Sequence, residues 1–570
     1  MTNTLYTEAG AAIADTPWEH YPRPQMRRDS YVNLNGRWEF AVSQGPAPVY
    51  DRKILVPFCP ESPLSGIHEH FPEGAALCYR RSFTLPEDFR QDRVLLHIGA
   101  ADQVLKCYVN NKDVGSHAGG YESMTFDITD ALEETNALEL RCTDNLYFHD
   151  YPYGKQSLNR GGMWYTPVSG IWQSVWLESV PENYIRNLKI ENLEGGVKIS
   201  VEPAQSGTVC VDGLGEFPLD NGCVTVMPED PKWWSPEDPY LYDFTVTTES
   251  DRVESYFAIR TVSSQVIDGI PRLLLNGKPY FFHGLLDQGY WPDGIYTPAS
   301  PECYARDIQM AKHLGFNTLR KHIKVEAQEF YYQCDKLGML VFQDMVNNGE
   351  YKYVRDTVIP TLGVQKRKDP HMHADPAIRD KFIKGMEATV RQLGNHPCIV
   401  YWTIFNEGWG QFDSEAVYDR LKELDSTRII DATSGWFRQK KSDVESIHIY
   451  FGMWHRLKKA DKPLILTEFG GYAHPVQGHL FNQNKAYGYK TCKTPKALQA
   501  GLAKLYRKRI IPAIKKGLCG AIYTQLSDVE DEINGLVTYD RKVCKVEEMA
   551  MWAICANLQG AMGKTPTEVK

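Results

Sequence analysis

No stretch of this 570-residue chain is apolar for long enough to cross a bilayer as a helix, which takes about 18–20 residues, so a membrane-spanning helix is not expected. The opening residues Met1 to Gly10 carry neither a basic stretch nor an apolar core, and no secretory leader is expected there. Cysteine pairs at C-x-x-C spacing are absent. The 13 cysteines are odd in number and scattered, which suits free thiols in a reducing compartment, and a cytoplasmic location is expected. A basic stripe is also missing. With 63 Lys and Arg against 72 Asp and Glu the net charge is −9, and nucleic acid is excluded as a partner. The short runs Arg438-Gln439-Lys440-Lys441 and 504–508 read as solvated surface. No internal repeat or low-complexity tract appears. Histidines and cysteines at metal-ligand spacing are limited to His371-Met372-His373, read as surface, so neither a metal nor another cofactor is expected.

What the chain does have is length and aromatic side chains. At 570 residues it exceeds one core, and two to four domains are expected. Aromatics make up 12%, with 32 Tyr and 13 Trp, which suits sugar binding as well as packing. Residues 1–183 read as short β-rich runs (94–98, 104–109, 137–141) separated by turn residues such as Asn110-Asn111 and Gly119-Gly120, the pattern of a jelly roll. Residues 184–263 form a second, smaller β set with strands at 197–201, 208–211 and 242–246, expected to be an Ig-like sandwich. From 264 to 570 apolar strands alternate with amphipathic helices. Eight strands are expected at 280–285, 318–321, 339–344, 399–406, 428–432, 447–450, 464–468 and 521–525, the number a (β/α)8 TIM barrel requires. The best helix is 376–393, with Asp375 as its N-cap, Pro376 in its first turn and a stripe of Ile378, Phe382, Met386, Val390 and Leu393. Three long loops, 288–300, 346–375 and 469–495, follow strands one, three and seven, on the face where such barrels build active sites.

Two stretches on that face carry the chemistry. Asn406-Glu407-Gly408-Trp409-Gly410 ends the fourth expected strand, and Thr467-Glu468-Phe469-Gly470-Gly471 ends the seventh. A lone glutamate at a strand end is usually a surface group or a helix cap. Two at the same rim of a barrel are what glycosidic bond cleavage needs: one carboxyl to protonate the leaving oxygen and one carboxylate to attack the anomeric carbon. Trp402, Phe405 and Trp409 are candidates for the dry surroundings that an acid needs, and Tyr450 for a hydrogen bond to the nucleophile. Asn406 is placed to donate to a sugar 2-hydroxyl. Asp287 and Gln288 could bond a hydroxyl, and Trp291, Trp409, Trp436, Trp454 and Tyr472 are candidate sugar platforms, with core packing the commoner fate of such aromatics.

The chain resembles glycoside hydrolase family 2 over nearly its whole length. Asn33-Leu34-Asn35-Gly36-Arg37-Trp38-Glu39-Phe40 and Tyr165-Thr166-Pro167-Val168-Ser169-Gly170-Ile171-Trp172-Gln173-Ser174-Val175-Trp176-Leu177 are similar to the family's sugar-binding jelly roll. Trp234-Ser235-Pro236-Glu237-Asp238-Pro239-Tyr240-Leu241-Tyr242 is similar to its Ig-like domain. Phe316-Asn317-Thr318-Leu319-Arg320-Lys321-His322, Asn406-Glu407 and Thr467-Glu468-Phe469-Gly470 are similar to its barrel motifs. The resemblance implies a retaining exo-β-glycosidase acting by double displacement on a carbohydrate substrate. Glu407 would be the acid/base and Glu468 the nucleophile, with Arg320, His322, Asn406 and Tyr450 around them, no organic cofactor, and a homo-oligomer as a candidate assembly. The chain departs from the family where sugars are selected. The Asn-x-Lys of family β-glucuronidases is replaced by Glu532-Ile533-Asn534-Gly535, the second strand ends in Lys321-His322-Ile323-Lys324, and the eighth offers Tyr523 and Gln525 where many members have Trp.

Three readings follow. The first is a β-galactosidase-like enzyme. The second is a β-hexuronidase, for galacturonides or glucuronides, motivated by Arg320, Lys321, Lys324, Lys352 and Arg355 near the rim. Against it stands pairing of Lys321 and Lys324 with neighbours such as Glu326. The third is a non-catalytic carbohydrate-binding protein on the same fold.

Overall fold

The computed structural model describes residues 4–562 apart from 46, 73, 147, 363, 365–367, 370, 371, 374 and 451. His371, half of the H-x-H pair, lies outside the described residues.

Alternation shapes the first region. Strand Asn136–Thr143 buries Leu138, Leu140 and Cys142 and turns the residues between them outward, as a sheet with one covered face demands. It sits in a six-stranded antiparallel sheet ordered Arg52–Val56, Gly36–Ser43, Ala76–Phe83, Asn136–Thr143, Val104–Val109, Lys112–Ala118. A four-stranded sheet (Tyr31–Asn33, Val175–Val180, Arg93–Ile98, Met124–Asp127) closes over it, and Trp38, Phe40, Tyr79, Leu96 and Leu140 fill the space between. Two packed antiparallel sheets are the jelly-roll arrangement expected from the sequence. The second region repeats the plan on a smaller scale. Three strands (Asn187–Leu193, Gly196–Glu202, Cys223–Val226) face four (Gly215–Leu219, Gly207–Val211, Tyr242–Thr248, Arg252–Phe257) across Val209, Phe244, Val246 and Phe257.

The third region is a barrel of eight parallel strands: β1 (Phe282–Asp287), β2 (Thr318–Lys321), β3 (Leu340–Asp344), β4 (Ile399–Asn406), β5 (Ile429–Ser434), β6 (Glu445–Ile449), β7 (Leu464–Gly470) and β8 (Leu518–Thr524). Neighbours pair in the order β5-β4-β3-β2-β1-β8-β7-β6. The ladder is open between β5 and β6, where the Ser446 hydroxyl donates to Asp431 at 2.8 Å. These strands are buried nearly throughout, which is why they read as continuous apolar runs. Helix Pro376–Leu393 forms as expected, with the Asp375 carboxylate accepting from the Ala377 N–H.

Two features add to the expected plan. A hairpin, Val262–Ile267 with Ile270–Leu275, precedes the barrel and runs through the 263/264 division. Its Arg272 donates to the carbonyl oxygens of Ile514 and Leu518, seating it against the start of β8. The loop after β1 is not an open rim. Residues 288–299 are buried, because Asp293 accepts from Thr7, the Thr297 hydroxyl donates to the Trp172 carbonyl, and Tyr296 meets Tyr121 at 2.9 Å. The jelly roll thus packs on the carboxyl-terminal side of the barrel. Among the described residues no helix is long and apolar enough to cross a membrane.

Candidate active site

The end of β4 turns sharply. Glu407 has φ +56°, in the left-handed region that residues with a Cβ rarely occupy, and its N–H donates to the Ser434 carbonyl at 2.9 Å. Gly408 follows at φ +77°, where a Cβ would stand 2.1 Å from the Phe437 ring. The chain therefore leaves the barrel at once, and the Glu407 carboxyl stays at its mouth, partly exposed. Glu468 ends β7 and is nearly buried.

The two carboxyls share one small space. Glu407, Glu468 and His448 each place an oxygen or ring nitrogen within 4.8 Å of the other two. A pair this close matches the separation of about 5–5.5 Å used for double displacement, and falls short of the roughly 6.5–9.5 Å that leaves room for an intervening water. His448 Nδ1 lies 2.7 Å from Glu407 Oε1 and 3.5 Å from Glu468 Oε2, and its Nε2 lies 3.1 Å from the Ser434 hydroxyl. Among the described residues these three are also the only grouping able to hold a metal ion. Each already has protein partners.

Arg320 organises the floor. Fully buried, it donates from Nη1 to Glu468 Oε1 at 2.9 Å, from Nε to Asp344 Oδ1 at 3.0 Å and from Nη2 to Asn406 Oδ1 at 2.9 Å. Asn406 thereby keeps its amide nitrogen for another acceptor. The Tyr450 hydroxyl, just beyond β6, donates to Glu468 Oε2. Burial alone would push the Glu468 carboxyl up, but His448, Arg320 and His322 beside it and the Tyr450 hydrogen bond hold it well below the usual carboxylate range. Burial, and then Glu468 itself, push the Tyr450 phenol well above its ordinary value, so it remains a donor. Glu468 is an ionised, hydrogen-bonded carboxylate, while Glu407 has one imidazole contact and access to the opening.

The other expected residues divide. His322 is buried with Nδ1 2.7 Å from Asp344 Oδ2, and burial lowers its pKa. Gln525, fully buried, accepts from the Gln288 amide at 2.9 Å and leaves its own nitrogen unpartnered. Trp436 sets its ring edge-on to His448, 5.4 Å between centroids. Trp409 is different: it is 2% exposed, its N–H is spent on the Gly349 carbonyl, and Tyr153, Trp164 and Tyr351 wall its ring. A platform needs an open face, so Trp409 supports the wall of the site instead. Trp402 and Phe405 face away from Glu407. Trp402 donates to Asp425, and Phe405 stacks on Phe382 of helix Pro376–Leu393. Trp291 is buried with Arg541 over its ring. Tyr472 packs against Gly501 and under Lys490, and among the described residues no contact joins it to the carboxylate pair. Asp287 has both oxygens engaged, by Lys321 Nζ at 2.6 Å and by the Gly289 N–H at 2.9 Å.

Sequence reasoning missed His448, Asp344 and Glu532. His448 was within reach, because it stands two residues before Tyr450 near the end of β6 and so shares its face. Asp344, the last residue of β3, had the same kind of signal as Glu407. Glu532 had none. It is buried, accepts from the Tyr165 hydroxyl of the jelly roll and from Asn534 Nδ2 at 2.9 Å, and burial raises its pKa.

Comparison with known proteins matches three profiles in chain order. They are described as the sugar binding domain of glycosyl hydrolases family 2 (residues 61–181), glycosyl hydrolases family 2 (182–260) and the family's TIM barrel domain (268–546). A β-galactosidase of Thermoanaerobacter pseudethanolicus is 24% identical over 462 residues, covering 72% of this chain and 58% of that protein. Human β-glucuronidase is 25% identical over 473 residues, covering 69% of this chain and 68% of that protein. The solved β-glucuronidase of an uncultured Clostridium species superposes with a TM-score of 0.71 at 19% identity, covering 96% of this chain and all of that one. This chain spans about half the length of the curated β-galactosidases it matches.

Proposed function

The chain belongs to glycoside hydrolase family 2, and on that premise we propose that it is a retaining exo-β-glycosidase with Glu468 as nucleophile and Glu407 as acid/base. The observation that carries this reading is the approach of the two carboxyls to within 4.8 Å, with opposite environments. Glu468, held ionised by Arg320 and Tyr450, attacks the anomeric carbon from one face. Glu407, with no Arg or Lys beside it and one contact to the His448 ring, gives its proton to the departing oxygen. The bond to the leaving group breaks as an ester to Glu468 forms. Glu407 then takes a proton from water, the water oxygen displaces Glu468, and the sugar leaves with its original anomeric configuration. Asn406, fixed through Arg320, donates its amide to the sugar 2-hydroxyl.

Relatives named β-galactosidase and β-glucuronidase support the reaction class and leave the sugar as a galactoside or a hexuronide. The cations that suggested a uronide from the sequence do not distinguish them. Lys321 is spent on Asp287 and Glu326, Lys324 on Glu326 and two backbone carbonyls, and Arg355 on Asp356, while Lys352 pairs with Glu350 on the surface. The same proposal divides the chain at 183/184 and 263/264. It places the protein in the cytoplasm, supported by thirteen free thiols, and takes a homo-oligomer as its assembly, which light scattering would test.

A panel of aryl β-glycosides tests the reaction. Glu468→Ala and Glu407→Gln are each expected to lose on the order of 10³-fold or more in turnover. Added azide should rescue the Glu468 variant and give a glycosyl azide of inverted configuration. Sugar binding without hydrolysis, unchanged in Glu468→Ala, would establish a binding protein instead.

A further inference from the structure

One cation at the mouth of the barrel is not accounted for, and the jelly roll supplies it. Lys155 sits in a loop tied to the barrel on both sides. The N–H groups of Tyr153 and Gly154 donate to the Asn347 carbonyl beyond β3, and the Tyr153 hydroxyl donates to the Gly349 carbonyl. Gly154, at φ +64°, passes so close to the barrel that a Cβ there would stand 2.7 Å from the Ile323 carbonyl beyond β2. Gln156 is fixed by Asp102, Tyr121 and the Val168 N–H. Lys155 between them is 8% exposed, and its ammonium has no hydrogen-bond or ion-pair partner among the described residues; it lies over the Trp164 ring, 5.5 Å from the centroid. Trp164 packs on Trp409, two residues after Glu407.

A lysine enclosed to this degree, with no counter-ion for its ammonium, is incompletely compensated unless something else completes it. The available protein acid does not. Glu532 feels the Lys155 charge, but its oxygens already accept from Tyr165 and Asn534, and it lies outside ion-pairing distance of Nζ. Gly154 before it passes against the Ile323 carbonyl beyond β2, and the Trp164 ring under its ammonium packs on Trp409 beside Glu407, so Lys155 borders the space between the end of β2 and the two glutamates. Lys321 and Lys324, on the same rim, are saturated by Asp287 and Glu326. We propose that Lys155 binds the C6 carboxylate of the sugar in this space, which makes the substrate a β-hexuronide and makes the jelly roll a contributor to its selection. This rests on the retaining-glycosidase reading for the position of the sugar.

The test pairs substrates that differ only at C6: aryl β-galacturonide with β-galactoside, and aryl β-glucuronide with β-glucoside. The wild-type chain is expected to favour one uronide over its neutral partner at least tenfold in kcat/KM. Lys155→Met should cut that preference on the order of 10- to 100-fold, the loss of one charge-assisted hydrogen bond, and Lys155→Arg should keep part of it. Wild-type preference for the neutral sugars overturns the inference while leaving the glycosidase reading intact. So does a Lys155→Met variant that slows both members of a pair equally, the outcome expected if Lys155 only balances Glu532. If no glycoside is cleaved, calorimetry with free galacturonate, glucuronate and galactose decides. Uronate binding that depends on Lys155 keeps the inference although the reaction class falls, and equal or absent binding overturns it.

Discussion

The two glutamates differ through their neighbours and not through their own chemistry. Glu468 is surrounded by donors from two other strands, Arg320 of β2 and His448 and Tyr450 at the end of β6, and its carboxyl is depressed. A depressed carboxyl stabilises the folded state at any pH above its unfolded value near 4.5, and that contribution is lost as the pH falls through the folded value. The wild type is therefore expected to be more stable than Glu468→Gln at pH 7, with the gap closing progressively below about pH 4.5. Denaturant unfolding from pH 7 to 3 checks this, and a constant gap would mean that the charge on Glu468 is not what Arg320 stabilises. Both glutamates were legible in the sequence because a polar residue ending an apolar strand stands out. Trp409 was legible only as an aromatic beside the acid. Whether its face is open depends on Tyr153 and Trp164, more than 200 residues away in the chain.

At the scale of elements, continuous apolar runs gave the barrel strands to within three residues, since a strand buried on both faces has no alternation to misread. Ends were less legible. β1 begins at Phe282 because Lys278–Pro279 pairs with the preceding hairpin, a contact that no local pattern announces. The loop after β1 has the length and place of an active-site loop, and its sequence does not say whether it faces water. It is buried because another domain covers it. The loop 153–156 is the complementary case, held by backbone contacts to Asn347 and by the close pass of Gly154. Gly154→Ala adds a methyl group at positive φ against the Ile323 carbonyl, and a destabilisation of about 1–3 kcal/mol is expected. If the proposal for Lys155 holds, this substitution also weakens uronide binding, which a KM series would detect.

At the scale of the whole molecule, the β-domains clamp the barrel at both ends. At the amino-terminal side of β4, Arg260 at the edge of the Ig-like sandwich is fully buried and donates to the carbonyls of Pro397, Ile399 and Thr427. Tyr256 donates to Asp335, which also accepts from the Cys398 N–H. Arg260→Met takes the guanidinium donor from the Pro397 and Thr427 carbonyls, while Ile399 keeps Arg428 Nε, and about 2 kcal/mol or more of stability should be lost at about 1–3 kcal/mol for each unpaired group. Calorimetry is expected to show the barrel and sandwich still melting together in the wild type and separating in the variant. The composition and patterning of this chain determined the kind of layers it forms, the eight-strand barrel and the positions of its two glutamates, because burial periodicity and strand-end chemistry are local properties. Which side chains face the sugar, which cations are already neutralised and which domain lends a lysine to the site were decided by the tertiary structure alone, because ion pairing and exposure depend on groups that only folding brings within a few ångströms.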